Sequence, residues 1–139
     1  MPERTLIILK PDAVARGLVG ETLARFERRS FRITHLKMMR LSREVAEELY
    51  APHRGKSFFP ALISFMTSGP VVAAIIEGEG VLRSVRLMMG ETDPLKALPG
   101  TIRGDYATDI TRNIIHAADS EESFRRESKL IFPELWEEG

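Results

Sequence analysis

The stretch RNIIHAADSEESFRRE, residues 112–127, sets one imidazole, His116, at the end of an apolar run and just ahead of a helix start. On that helix Phe124 and Ile131 mark an apolar stripe. Glu127, at i+3 from Phe124, projects toward the same buried side. A buried carboxylate without a donor is costly, so Glu127 needs a partner. The N–H of His116 can be that partner, provided the chain turns back after residue 116. A carboxylate on one ring nitrogen fixes the tautomer and leaves a lone pair on the other. Such a nitrogen can attack phosphorus and become a phosphohistidine. The same pair would serve equally as a structural brace, and spacing alone leaves both readings open.

Phosphoryl transfer asks the protein mainly for cations that screen phosphate oxygens. Lys10, Arg54, Lys56, Arg86 and Arg103 stand at element ends or in loops. Most of them read equally as solvated surface. Lys10 and Arg103 are less ordinary: one closes an apolar strand, and the other lies within PGTIRGD. The segment HRGKS, residues 53–57, is suggestive of a P-loop, but Tyr50 stands where the motif needs its first glycine, and a helix precedes it. His35 reads as a sheet residue. His53 follows a proline in a loop, where it can touch a phosphate.

These side chains need elements to carry them. Residues 5–9, TLIIL, read as a buried strand broken by Pro11, with Asp12 as cap of the turn after it. Val19, Leu23 and Phe26 recur at helical spacing. Residues 31–41 alternate as a second strand, and a helix runs from Ser42 to about Tyr50. FFPALISFM predicts a short helix, PVVAAIIEG a strand and GVLRSVRLMMG a helix. Residues 90–105, with three glycines and two prolines, predict a long functional loop. RNIIH predicts a last strand. Asp119 and Glu122 suggest a capping box for a last helix. This interrupted alternation predicts an α+β sandwich with helices on one face of a small, mostly antiparallel sheet.

With 139 residues, the chain is long enough for one domain with a sizeable core, and residues 1–139 are expected to form a single domain. Twenty basic residues balance 20 acidic ones, so no global field draws nucleic acid or anionic membrane, and neither is an expected partner. No apolar run approaches the roughly 20 residues of a membrane span, and MPERTLII lacks the pattern of a signal peptide. The absence of cysteine excludes disulfides and thiolate sites and fits a cytoplasmic location.

Several blocks together resemble the nucleoside diphosphate kinase family: NIIHAADS, TLIILKPDAVARGLVGE, FMTSGPVVA, MMGETDP and LPGTIRGDYA, in the family's order. The resemblance covers essentially the whole chain. It implies a ferredoxin-like fold, with a four-stranded antiparallel sheet and packed helices. It also implies ping-pong transfer of a terminal phosphoryl group from a nucleoside triphosphate such as ATP to a nucleoside diphosphate. Carried over by motif, His116 is the nucleophile through Nδ1, Glu127 orients it and Tyr50 lies beside it. Lys10 contacts ribose and phosphates; Arg86, Thr92 and Arg103 bind phosphate; Asn113 binds the ribose. Phe58 and Ile110 flank the base. Magnesium (Mg2+) arrives on the nucleotide phosphates, so no protein metal ligand is expected. The family forms homo-oligomers, commonly tetramers or hexamers built from a dimer.

Two positions depart from the family pattern. Ala118 replaces the serine two residues after the histidine, and GKSFF lacks a proline before its aromatic pair. A missing neutral hydrogen bond costs about 0.5–1.5 kcal/mol, which predicts slower turnover or a less stable fold. The alternative is a catalytically weakened nucleotide-binding or regulatory module on the same fold.

Overall fold

The computed structural model describes residues 3–137. Its framework is a four-stranded sheet of order β2-β3-β1-β4, formed by β1 (Glu3–Leu9), β2 (Arg32–Met39), β3 (Val71–Gly78) and β4 (Ile115–Ala117). All three pairings are antiparallel. Seven α-helices surround it among the described residues: α1 (Pro11–Ala15), α2 (Val19–Arg28), α3 (Arg43–Leu49), α4 (Phe59–Met66), α5 (Val81–Met89), α6 (Ile102–Tyr106) and α7 (Glu121–Ile131).

The helices cover both faces of the sheet, not one. Leu6 and Ile8 of β1 and Val71, Ala73 and Ile75 of β3 pack with Leu49, Ile63, Met66, Phe124 and Ile131 from α3, α4 and α7. The alternate residues Ile7, Leu9, Val72, Ala74 and Ile76 pack with Phe26, Val85, Met89 and Ile102 from α2, α5 and α6. The physical reason is visible in the two central strands, whose apolar residues run without alternation. Such runs belong to strands covered on both sides.

Four local expectations change. The last strand begins at Ile115, not at residue 112, because Ile114 takes a positive φ of 77° and the chain turns there. The loop at 90–105 closes with α6, whose N-cap Thr101 accepts from the N–H of Gly104 at 3.0 Å. The cap of α7 is Ser120, which accepts from the N–H of Ser123 at 3.0 Å; Asp119 stands one residue outside and accepts from the Ser123 hydroxyl. Asp12 likewise caps no helix. Its Oδ2 accepts from the backbone N–H of Ile114 at 3.1 Å and so holds the strained turn before β4. Trp136 packs on its own helix α7, with Nε1 donating to Ser128 Oγ at 3.1 Å.

Candidate active site

His116 pairs with Ile8 across β1 and β4, so its side chain leaves the sheet on the face covered by α3, α4 and α7. Its neighbours Ile115 and Ala117 point into the opposite core. The required turn-back is present. Along α7 the buried residues are Phe124, Glu127, Ser128 and Ile131, the stripe expected from spacing. Glu127 Oε1 lies 2.7 Å from His116 Nε2. Nδ1 makes no hydrogen bond to any described residue. Tyr50, at the end of α3, sets its ring 5.3 Å from the imidazole in an edge-on contact of 75°. Its hydroxyl is buried without a partner among the described residues, and burial, reinforced by the charge of Glu127, pushes its pKa well above the usual range.

A cleft of about 480 Å³ opens at this histidine, within the common range for small-molecule sites. It is lined by Lys10, Tyr50, Phe58, Arg86, Thr92, Arg103, Ile110, His116 and Glu127, which are all but one of the expected set. Phe58 and Ile110 keep much of their apolar surface exposed, 48% and 61%. Arg86 reaches the carbonyl of Ala117 at 3.4 Å.

The exception is Asn113, which lies behind the cleft wall and is 1% exposed. Its Nδ2 donates to the carbonyls of Thr92 and Ile110 at 3.2 and 3.0 Å, and its Oδ1 accepts from Lys10 Nζ at 2.7 Å. Asn113 therefore ties together the loop before α6, the base-side segment and the Lys10 ammonium. Lys10 is itself 5% exposed. Burial, and then the nearby Arg103, pull its pKa down to about 7.

Arg103 is held more firmly than a free phosphate fork. Nε, Nη1 and Nη2 donate to the carbonyls of Asn113, Gly90 and Ile115 at 3.3, 3.1 and 2.7 Å. A guanidinium has five N–H donors, so two remain for a ligand. Burial, with Arg86 close by, lowers its pKa to about 10. Two partly desolvated cations and Arg86 thus converge on one small volume. That concentration is unfavourable in an empty cleft and is relieved by an anion.

Of the remaining candidate cations, Arg54 pairs with Glu48 at the surface, and Lys56 lies 3.2 Å from His53 Nδ1. His53 lines the cleft, and burial, with Lys56 adding to it, lowers its pKa. His35 is a sheet residue as expected, with its ring edge on Phe132. Asp119, Ser123 and Arg126 also line the cleft and were not anticipated. For Ser123 the signal was spacing, since it stands one turn before Glu127 on the same face of α7.

The sequence pattern described as nucleoside diphosphate kinase matches residues 3–135. A nucleoside diphosphate kinase of Hyperthermus butylicus is 61% identical over 94% of this chain and 92% of its own. One from Thermus thermophilus is 60% identical over 94% and 95%. Among solved structures, the Aquifex aeolicus enzyme superposes with a TM-score of 0.90 at 47% identity, covering 95% of this chain and 96% of its own. A Halobacterium salinarum enzyme in complex with CDP gives 0.92 at 46%, covering 95% and 88%. Sequence over nearly the full length and fold at high superposition agree: this chain belongs to the nucleoside diphosphate kinase family.

Proposed function

We propose that this single-domain chain transfers the terminal phosphoryl group of a nucleoside triphosphate to a nucleoside diphosphate through His116. The observation that carries the proposal is the 2.7 Å contact of Glu127 with Nε2, which leaves Nδ1 without a partner among the described residues in a cleft also lined by Lys10, Arg86 and Arg103. In the first half-reaction Nδ1 attacks the terminal phosphorus. The bond to the bridging oxygen breaks, and the nucleoside diphosphate leaves. The ring gains positive charge, which Glu127 balances through the Nε2–H. In the second half a terminal oxygen of an incoming diphosphate attacks the phosphorus, and the N–P bond breaks. Lys10, Arg86 and Arg103 screen the oxygens throughout.

The apolar faces of Phe58 and Ile110 suit any base, because each base presents a π-face. Asn113 positions Lys10, and Thr92 lines the phosphate side. The donor set suits magnesium carried in on the nucleotide phosphates. Cleft cations meet phosphate oxygens, while Glu127 and Asp119 already accept from His116 and Ser123. Bound there, the ion would add to the screening of phosphate charge. No helix among the described residues is long and apolar enough to cross a membrane. We propose a cytoplasmic location. We also propose a homo-oligomer of dimers, tetramer or hexamer. Edge strand β2 with exposed Leu36 and Met38 supports an interface between copies.

Incubation with labelled ATP is expected to leave an acid-labile, base-stable phosphate on the protein, discharged by GDP. His116→Ala should abolish the label. Normal labelling of that variant would refute the assignment of the nucleophile.

A further inference from the structure

We infer that Arg126 is a positioning residue for phosphoryl transfer: it holds the second carboxylate oxygen of Glu127 and the end of α3 that carries Tyr50. The inference rests on the proposed roles of His116 and Glu127.

Glu127 has two oxygens to satisfy, and its side chain is 6% exposed. Oε1 is taken by His116. The donor at Oε2 among the described residues is Arg126 Nη2, at 3.4 Å. Ala118, packed in the same core as Phe124, presents only a methyl group. The terminal torsion of a glutamate is broad, so a carboxylate bonded at one oxygen alone can swing about its axis. A cation on the other oxygen removes that freedom and holds Oε1 on the imidazole.

The same guanidinium is anchored on α3. Nη1 donates to the carbonyl of Glu48 at 2.8 Å, and Nη2 lies 3.4 Å from the carbonyl of Leu49. Both carbonyls belong to the last turn of α3, where helix carbonyls lack intrahelical partners and where the helix dipole favours a cation. Tyr50, the next residue, packs edge-on against His116. One guanidinium therefore joins α7 to α3 across the nucleophile, locking the carboxylate on one side and the aromatic wall on the other.

The test is single-turnover transfer from ATP to the enzyme, read as a saturated rate and a half-saturating ATP concentration. Arg126→Gln is expected to lower the saturated rate about tenfold, with half-saturation within about twofold of wild type. In a Glu127→Gln background the same substitution should change the rate less than about twofold, because the partner through which it acts is gone. Arg126→Lys, which keeps the cation, should lose only about threefold, again vanishing beside Glu127→Gln. That pair of variants decides the question should Arg126→Gln fail to fold. An unchanged saturated rate, a loss confined to half-saturation, or an equal loss in both backgrounds would each overturn the inference. A wild-type chain that takes up no phosphate would overturn the functional reading, and this inference with it.

Discussion

The ammonium of Lys10 sits 2.7 Å from Oδ1 of Asn113, and Arg103 holds the same asparagine by its backbone carbonyl. The contact brings two cations from opposite ends of the chain to one residue and leaves neither well solvated.

Lys10 accordingly has a pKa near 7, against 10.5 for an ordinary lysine. A triphosphate favours the charged form, so ATP binding at pH 8 should take up close to one proton. Calorimetry in buffers of different ionisation enthalpy measures this directly, and binding without proton uptake would contradict it. The same shift has a stability consequence. Between the folded and unfolded pKa values the unfolded chain binds more protons, so this group makes stability rise from pH 7 toward 10.5. Lys10→Met should therefore raise Tm most at pH 6, with the gain fading as pH climbs through that window.

Gly104 is the second position where a small change should act on the site. A Cβ there would collide with the backbone carbonyl of Leu98 and lie 2.8 Å from the Thr101 hydroxyl. Neither can yield without shifting α6, which carries Arg103. Gly104→Ala should cost about 2–3 kcal/mol in denaturant unfolding. It should also weaken nucleotide binding; an unshifted midpoint with normal binding would show that α6 tolerates the group.

Ala118 is buried, 1% exposed, two residues beyond the nucleophile. A hydroxyl there that reaches Glu127 or the transferring phosphate adds one hydrogen bond, about 0.5–1.5 kcal/mol. Ala118→Ser should raise kcat by about two- to tenfold at that magnitude. Steady-state assay of GDP phosphorylation checks it, and a fall in both kcat and Tm would show that the hydroxyl meets packed core.

Much of this protein was legible from its residues. The carboxylate on the inner face of α7 follows from local periodicity, because helix geometry alone decides which residues share a face; Lys10 and Arg103 stood out by their place in the chain, whereas Arg54 and Lys56 had the same signal and do not line the cleft. The motif blocks carried the family and, with it, the antiparallel sheet. Other features depended on contacts between segments far apart in the chain. That the helices take both faces of the sheet, that Asn113 supports Lys10 from behind, that Asp12 holds the strained turn at Ile114, and that Nε2 rather than Nδ1 meets Glu127 are all of this kind. Local spacing orders side chains along an element. The direction in which a ring nitrogen or an amide finally points is decided by whichever donors and acceptors the folded chain brings within about 3 Å of it.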